Sequence, residues 1–280
     1  MEQIVYANRI NLRWFSLCLL LFACSGDRTT WVAIGDSITY LNDHADETGN
    51  RVEKGYLTRV QEKVPGIRYI NKGYNGWTAV RVAEEVDDLG LERADVYSVF
   101  LGTNDWWQGK PVGSIRDYEH RAGARTFFGA YRIIIEKIRA LNPDARIILI
   151  TPMQRGDFVY INDHKNQAYG SYKEKADQSL SSFVAAVRAI GELEHFPVVD
   201  LYHDSGMTIE NSVRFKRLKD TLDGGLVDFT YPAYVDVPFD PSNDPYPYPP
   251  EAIDMTYDGL HPSDKGNEII ASMVAPLLKE

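Results

Sequence analysis

The sequence predicts an α/β fold in which a parallel sheet is covered by helices on both faces. Short apolar runs typical of buried strands alternate along the chain with segments whose apolar residues recur at helical spacing. The 280 residues are 44% hydrophobic and 25% charged, which suits one globular domain with a sizeable core. The sequence contains no internal repeat and no glycine pattern of a nucleotide-binding loop. We therefore expect a single α/β domain.

Five strands and five helices can be assigned along the chain in this alternating order. The predicted strands are residues 31–34, 67–70, 94–101, 147–150 and 196–201. The predicted helices are residues 55–64, 79–89, 127–141 and 180–190, and a last helix after Pro262.

The helix boundaries follow from particular residues. Pro65-Gly66 and Asn142-Pro143 are expected to stop the helices that precede them. Ser263 is a suitable N-cap for the last helix, because its hydroxyl can accept a bond from a free backbone N–H. Pro276 should distort the final turn of that helix, since it lacks a backbone N–H.

Two long segments interrupt the alternation, at about residues 154–175 and 206–256. The second ends in a run rich in proline and tyrosine, at residues 244–250. Loops of this length inside a compact domain are usually functional or disordered. Both segments are predicted to be insertions into the α/β plan, with or without a role in substrate contact. The run at 244–250 leads directly into Asp258 and His261, so we expect it to lie at the mouth of the site.

The amino end has the pattern of an export signal. An apolar run at 15–23 follows Arg9 and Arg13 and is too short to span a bilayer. Residues 21–24 resemble a bacterial lipobox that ends in Cys24, although Phe22 is unusual there and leaves ordinary signal cleavage open. The expectation is a signal peptide at 1–24, a tether at 25–30 and an exported protein in the bacterial periplasm or at the cell surface. Membrane association would then occur only through lipid on Cys24.

Charge and cysteine content exclude several classes of function. The formal net charge is −10, so the surface should repel phosphate backbones and nucleic acid is not an expected partner. Cys18 and Cys24 are the two cysteines, and both fall in the amino-terminal segment. The rest of the chain therefore offers no cysteine nucleophile, thiolate cluster or disulfide pair.

Four short stretches carry residues suited to chemistry. They are residues 35–39, 71–76, 102–105 and 258–262. The first three each follow a predicted strand, so they should meet at the carboxyl edge of the sheet, where ligands bind in open α/β folds. In the fourth, Asp258 precedes His261 by three residues, which would let the carboxylate hold one ring nitrogen while the other accepts a proton. Read alone, it could equally be a surface turn and helix cap.

Together these stretches resemble the SGNH hydrolases, also called GDSL esterases and lipases, over roughly residues 31–280. The resemblance implies a flavodoxin-like three-layer α/β/α sandwich with a five-stranded parallel sheet of order 2-1-3-4-5. Ser37 would be the nucleophile, because a serine attacks only when a base such as His261 takes its proton. Asp258 would fix the tautomer of His261 and stabilise its charged form. Thr39, in place of a second glycine, argues against the α/β-hydrolase turn.

The resemblance also implies how an oxyanion would be stabilised. It assigns the donors to the backbone N–H groups of Ser37 and Gly73 and to the side-chain amide of Asn104. A glycine lets the backbone approach the substrate closely, and asparagine offers two uncharged donors. Gly73 could instead be a turn glycine, and Asn104 an amide that stabilises its loop. No cofactor is implied.

Acidic residues could suggest a metal site, but their spacing does not. Asp36 and Asp105 are expected to accept bonds from loop backbone and so to position Ser37 and Asn104. The three carboxylates at 236, 240 and 244 could bind calcium, yet a solvated loop is favoured because calcium-loop spacing is missing. No metal is expected.

Aromatic residues beside the motifs are candidates for substrate contact. They are Trp77, Trp106, Trp107, Tyr246 and Tyr248. Their flat faces would suit stacking on sugar rings, and equally packing under a loop. Because no long apolar stretch suggests an acyl channel, we expect removal of short acyl groups, such as O-acetyl, from a carbohydrate. A lipase, lysophospholipase or thioesterase on the same triad is the alternative, and a catalytically silent glycan-binding surface lipoprotein is a third interpretation.

Overall fold

The computed structural model of the protein describes Met1 and residues 28–279. The predicted signal peptide, the lipidation site at Cys24 and most of the predicted tether lie outside the described residues. No helix within the described part of the chain is long and apolar enough to cross a membrane.

Nine strands and nine α-helices are present among these residues. The strands are β1 (Thr29–Gly35), β2 (Ile67–Gly73), β3 (Val96–Phe100), β4 (Arg146–Ile150), β5 (Phe158–Tyr160), β6 (Asp163–Ala168), β7 (Val198–Val199), β8 (Lys216–Lys219) and β9 (Leu226–Phe229). The helices are α1 (Ser37–Tyr40), α2 (Tyr56–Lys63), α3 (Ala79–Glu84), α4 (Thr103–Trp107), α5 (Ile115–Glu119), α6 (Phe127–Leu141), α7 (Leu180–Glu194), α8 (Leu201–Asp204) and α9 (Asp264–Val274). Short 3₁₀ helices span Leu41–Asp43, Ala45–Thr48, Ile209–Asn211, Pro250–Ala252 and Ala275–Leu278.

The central sheet has five parallel strands in the order β2-β1-β3-β4-β7. This is the predicted order 2-1-3-4-5, with β7 as the fifth strand, so the expected fold class is confirmed. Gly35, the last residue of β1, is in register with Gly73 of β2 and Phe100 of β3. The carboxyl ends of these three strands therefore lie side by side, and the loops that follow them share one edge.

Two apolar cores lie on the two faces of the sheet, because successive strand residues point in opposite directions. In β1, Val32 and Ile34 face a core that includes buried residues of α3, α6 and α7. Trp31 and Ala33 face the other core, which includes residues of α2 and α9. The helices thus form the outer layers of a three-layer sandwich around a strand that is buried on both faces.

Some element boundaries differ from the predicted ones. Strand β1 begins at Thr29, within the predicted tether, because Thr29 and Thr30 pair with β2 and the Thr30 N–H donates to Asp95 at 2.7 Å. Helix α3 ends at Glu84 rather than at residue 89, since the weak helix formers Asp87, Asp88 and Gly90 lie in the segment that follows. The predicted distortion at Pro276 is confirmed, because α9 gives way to a 3₁₀ turn at Ala275.

Each predicted insertion contains a β-hairpin that the sequence did not indicate. Strands β5 and β6 pair antiparallel within 154–175, and β8 pairs with β9 within 206–256. Strand β6 is almost entirely polar, and strand β8 places three basic residues around one leucine, so neither shows the apolar alternation of a half-buried strand. The remainder of 206–256 is loop and short 3₁₀ helix.

Candidate active site

Ser37 is the first residue of α1, directly after the carboxyl end of β1. Asp36 caps this short helix by accepting a bond from the Ile38 N–H at 3.0 Å. The turn is tight, because a Cβ on Gly35 would lie 2.0 Å from the Thr39 hydroxyl oxygen. Glycine at 35 thus lets α1 fold back onto the end of its own strand and hold the Ser37 hydroxyl at the sheet edge.

Asp258 and His261 lie on the loop that leads into α9. One carboxylate oxygen of Asp258 accepts bonds from the backbone N–H groups of Leu260 and His261, at 3.0 and 2.7 Å. The other lies 2.7 Å from Nδ1 of His261. Gly259 makes this turn possible, since its φ is +91° and a Cβ there would lie 1.6 Å from the Asp157 carbonyl oxygen. The local backbone therefore fixes the carboxylate and the imidazole together.

The two segments meet at the serine. Nε2 of His261 lies 2.8 Å from Oγ of Ser37, although the residues are 224 positions apart in the sequence. The ring of Tyr257 stacks on His261 at 5.9 Å between centroids, and Phe158 contacts it edge-on at 5.3 Å. Asp258 is fully buried and His261 is 6% exposed. The imidazole is thus held between a carboxylate and a hydroxyl, the arrangement in which it can accept the serine proton.

Asp36 and Asp105 are buried carboxylates beside this group. Burial raises the pKa of Asp36 to about 6 and that of Asp105 to about 7, against the opposing effect of their backbone hydrogen bonds. Asp36 accepts from the loop that carries Ser37, as predicted. Asp105 instead accepts from Ala79 and Val80, at 2.8 and 3.3 Å, and so fixes the amino end of α3.

The structure corrects the predicted role of Gly73. Its N–H donates to the Asn71 side-chain oxygen at 2.9 Å, and the residue packs against the backbone of Tyr40, so this donor is already used. Gly76, at the end of the same stretch, has φ of +72° and lies beside Ser37 and Asn104 in the wall of a cavity. The N–H groups of Gly76 and Ser37 have no acceptor within the described residues. Gly76 therefore replaces Gly73 as the candidate donor.

Asn104 lies in α4, after the carboxyl end of β3. One of its amide N–H groups donates to the Trp77 carbonyl at 3.0 Å, which leaves the second for a ligand. In the next turn of the chain, the Gln108 amide donates to the Gly76 carbonyl at 2.7 Å. Two side chains of one segment thus hold the 76–77 turn in place.

A cavity of about 400 Å³ opens onto Ser37, and we call it the Ser37 cavity. Its wall is formed by Ser37, Leu41, Glu47, Asn75, Gly76, Asn104, Trp107, Gln108, Arg155, Phe158, Tyr160, Asn166, Ala168, Leu260 and His261. The hairpin β5–β6 supplies four of these residues, so the first insertion lies at the mouth of the site.

Of the five aromatic residues predicted to contact substrate, Trp107 alone lines the Ser37 cavity. Trp106 is fully buried in the core and donates its ring N–H to the Gln178 carbonyl. Trp77 stacks on Tyr74, at 4.4 Å between centroids, and under the Arg81 guanidinium. These two tryptophans therefore have packing roles, contrary to the prediction.

Tyr246 and Tyr248 also have supporting roles rather than the predicted substrate contacts. The hydroxyl of Tyr246 donates to the Val159 carbonyl at 3.0 Å, and that of Tyr248 donates to the Asp157 carbonyl. Tyr248 is fully buried. Both rings brace the start of the β5–β6 hairpin, so the proline- and tyrosine-rich run acts on the site through that hairpin.

Sequence reasoning missed several residues of the cavity wall. Phe158 and Tyr160 belong to β5, which was not predicted, and they have no nearby motif. Arg155 follows the carboxyl end of β4 by five residues, and its position at the sheet edge was the one available signal.

The acidic residues do not form an evident metal site. Among the residues that the structure describes, no group of three or more His, Cys, Asp or Glu side chains could hold a metal ion. In the second insertion, Asp240 accepts bonds from Ser242 and Asn243, and Asp244 pairs with Lys219 at 2.8 Å. These carboxylates stabilise their own turn.

Comparison with known proteins agrees with the motifs. Residues 33–269 match the model of the GDSL-like lipase/acylhydrolase family. A search of curated proteins found no match to the chain.

Solved structures give the same result. A possible lipase from Chitinophaga pinensis DSM 2588 is 62% identical, with a TM-score of 0.88 over 89% of this chain and 97% of that one. A lipase/acylhydrolase from Enterococcus faecalis is 18% identical, with a TM-score of 0.50 over 90% of this chain and 95% of that one, and shares the fold. The chain therefore belongs to the GDSL-like lipase/acylhydrolase family, the SGNH hydrolases, and is a carboxylic ester hydrolase.

Proposed function

We propose that the protein is a serine esterase that removes short acyl groups, above all O-acetyl groups, from carbohydrates. Ser37 is the nucleophile, His261 the general base and Asp258 the residue that orients His261. The observation that carries this proposal is the 2.8 Å contact between Ser37 Oγ and His261 Nε2, with Asp258 2.7 Å from the other ring nitrogen. Each contact is within hydrogen-bonding distance before any substrate is bound.

The reaction has two steps. The Ser37 oxygen attacks the ester carbonyl while Nε2 of His261 takes its proton, and the departing alcohol receives that proton as the C–O bond breaks. A water then attacks the acyl-serine, again losing its proton to His261, and releases the carboxylic acid. Asp258 stabilises the imidazolium in both steps, because its buried carboxylate lies 2.7 Å from Nδ1 of His261.

Three donors are proposed for the oxyanion that forms in each step. They are the backbone N–H groups of Ser37 and Gly76 and the free amide N–H of Asn104. Donors that are already oriented stabilise the developing charge without reorganisation. The bonds that Asn104 and Gln108 make to the 76–77 turn supply this preorganisation.

The polar part of the cavity wall supports a carbohydrate as the alcohol. Asn75, Asn104, Gln108 and Asn166 bring amide groups to the Ser37 cavity, and Trp107 offers a ring face. Amides suit hydroxyl groups and an aromatic face suits a sugar ring.

The proposal is tested with Ser37→Ala and a matched Ser212→Ala control, which changes a buried serine outside the Ser37 cavity. Wild-type protein and the control should hydrolyse 4-nitrophenyl acetate and react covalently with a fluorophosphonate probe. The Ser37 variant should do neither while its circular dichroism spectrum stays unchanged. Full activity of the Ser37 variant would refute the proposal, and an inert but sugar-binding wild type would favour the glycan-binding interpretation.

A lipase is the second candidate, because the 62% identical relative is named a possible lipase. The two functions differ in the acyl chain that they favour. Release of acetate from acetylated polysaccharides should exceed release of fatty acid from phospholipids, and activity on 4-nitrophenyl esters should fall beyond four carbons. Activity that peaks at eight or more carbons, or on thioesters, would replace the carbohydrate esterase with a lipase or thioesterase.

We also propose, from the sequence at 1–24, that the protein is exported and lipid-anchored through Cys24. Metabolic labelling with a fatty acid should mark the full-length protein, and Cys24→Ser should abolish the label. Labelling that survives this substitution would contradict the anchor and leave ordinary secretion.

A further inference from the structure

Arg155 is a buried cation in the wall of the Ser37 cavity. Its residue exposure is 1%, and its guanidinium carbon lies 5.7, 6.0 and 5.9 Å from the ring centroids of Trp106, Trp107 and Phe158. Trp107 and Phe158 line the same cavity. The guanidinium is therefore enclosed by aromatic rings at the wall that a substrate must contact.

The guanidinium makes few hydrogen bonds. Its Nε–H donates to the Gly156 carbonyl at 3.4 Å, and Nη2 is buried without a hydrogen-bond partner in the described part of the chain. No carboxylate within the described residues lies within 4.0 Å of it. Burying a charged group without a partner costs several kcal/mol, so a chain that retains one usually has a use for its free donors.

The other buried cation of this region, Lys216, shows what a structural role looks like. Lys216 is 5% exposed and donates to Asp157 at 2.9 Å. Asp157 also accepts bonds from the Gly170 N–H and the Tyr172 hydroxyl, so both of its oxygens have partners. Lys216 is thus paired with a carboxylate, whereas Arg155 has no such partner among the described residues.

Nearby carboxylates balance the charge of Arg155 without binding its donors. Asp258 and Asp157 stabilise the charged form electrostatically, although burial lowers the pKa of Arg155 to about 10. Each has its own partners, since Asp258 holds His261 and Asp157 holds Lys216. Arg155 therefore remains charged at neutral pH, with free N–H groups.

We propose that Arg155 binds a carboxylate of the substrate and thereby makes the enzyme selective for esters that carry an acidic group. A guanidinium presents paired donors in a plane, and a carboxylate accepts them in the same plane. Trp107 and Phe158, whose rings lie about the guanidinium, line the same cavity and would contact that carboxylate. Glu47 lines the cavity as well, but its oxygens are held by the Tyr40 hydroxyl and Asn75, so it does not compete for Arg155.

The inference rests on the proposed esterase function and leaves open one structural choice, whether the carboxylate belongs to the acyl group or to the alcohol. Two matched substrate pairs distinguish a carboxylate on the acyl group from one on the alcohol. Mono-4-nitrophenyl glutarate and its methyl ester differ by one charge on the acyl group. Acetylated glucuronic acid and its methyl ester differ by one charge on the alcohol.

Wild-type enzyme should favour the charged member of one pair by about 10- to 100-fold in kcat/KM, as expected for bonds to an ionised group. In Arg155→Met that preference should disappear, chiefly through a higher KM for the charged member of the pair. Arg155→Lys should retain part of the preference. Lys173→Met is the control, because it removes a nearby exposed charge that does not line the Ser37 cavity, and it should leave the preference intact.

Several outcomes would overturn the inference. Equal wild-type rates on the charged and neutral members of both pairs would do so. An Arg155→Met variant that loses kcat equally on all substrates would assign Arg155 to support of Asp258 instead. If that variant does not fold, wild-type inhibition decides: succinate should inhibit more strongly than dimethyl succinate, and inhibition by methyl phosphate but not succinate would exclude a carboxylate.

Failure of this inference can be told from failure of the proposed function. Wild-type protein that reacts with the fluorophosphonate probe and hydrolyses 4-nitrophenyl acetate, yet shows no preference for charge, contradicts only the role of Arg155. Protein that does neither contradicts the esterase itself.

Discussion

Two of the three Asp-x-x-His motifs in this chain, those at 200–203 and 258–261, have nearly the same local geometry. In each, one carboxylate oxygen accepts the backbone N–H of the histidine, at 3.2 Å for His203 and 2.7 Å for His261. In each, the other oxygen lies near Nδ1 of that histidine, at 2.9 and 2.7 Å. The same carboxylate–imidazole pair therefore forms at two places in the fold, and by itself it carries no catalytic meaning.

The surroundings of the two pairs differ. The His203 side chain is 48% exposed, and Asp200 is shared with Arg188 at 3.5 Å. The His261 side chain is 7% exposed and Asp258 is fully buried. The second ring nitrogen of His261 lies within hydrogen-bonding distance of the Ser37 hydroxyl. What distinguishes the second pair is burial together with a serine supplied from elsewhere in the fold.

The strand order explains why Asp200 and His203 cannot contact Ser37. Asp200 follows β7, which lies three positions from β1 in the sheet. At about 4.8 Å per strand, that places it roughly 14 Å from the end of β1, where Ser37 lies. Asp258 and His261 approach Ser37 instead on the loop that enters α9.

The largest expected effect comes from replacing the histidine of each pair by alanine. His261→Ala should lower kcat for 4-nitrophenyl acetate by at least about 10⁴-fold, because among the described residues His261 is the one base within hydrogen-bonding distance of the Ser37 hydroxyl. His203→Ala is the matched control and should change it less than about twofold. Steady-state kinetics check both, and a large loss in the His203 variant would show that the two motifs are not functionally distinct.

A somewhat smaller effect is expected at the carboxylates. In Asp258→Asn the amide would present an N–H to His261 and favour the wrong tautomer, so kcat should fall by about 10⁴-fold. Asp200→Asn should leave kcat unchanged, since asparagine also caps a helix well and His203 does not reach Ser37. Kinetics at saturating substrate distinguish the two variants, and near wild-type kcat in Asp258→Asn would refute the proposed role of Asp258.

The smallest expected effect is on the pH dependence of stability. It comes from Asp36 and Asp105, the buried carboxylates beside the Asp258–His261 pair. Because the pKa values of Asp36 and Asp105 are raised by burial, the native state binds more protons than the unfolded state above about pH 4. These groups therefore lower the free energy of unfolding as pH rises, up to about pH 6 for Asp36 and about pH 7 for Asp105.

Substitution by asparagine removes this titration. Relative to wild type, the free energy of unfolding of Asp36→Asn should increase between about pH 4 and 6, by up to about 3 kcal/mol. For Asp105→Asn the same increase should continue to about pH 7. Urea unfolding at a series of pH values measures the difference. A difference that stays constant with pH would show that these carboxylates do not titrate in this range.

Most of the fold could be predicted, because its signals are local. Buried parallel strands such as β4 read as continuous apolar runs, and α6 repeats its apolar residues at helical spacing. The two hairpins could not be predicted from the sequence, since β6 and β8 carry polar and basic residues whose pairing depends on the segments they contact.

The candidate site could be predicted in part. Ser37, Asn104 and the Asp258–His261 pair were indicated by motifs that follow strands. Gly73 was assigned from the family resemblance, whereas Gly76 in the same stretch was not considered. The bond from the Gly73 N–H to the Asn71 side chain, which only the structure shows, separates the two. Trp106 was assigned to the substrate, although its neighbours place it in the core.

The sequence by itself determined the parallel α/β plan, the tight turn at Ser37 and the local pairing of Asp258 with His261, because each depends on residues a few positions apart. Tertiary structure alone decided which of two equivalent Asp-x-x-His pairs meets the serine, which backbone N–H stays free and which buried cation lacks a partner. Those outcomes depend on contacts such as the one that joins residues 224 positions apart. Strand order and burial create such contacts, and no short stretch of sequence encodes them.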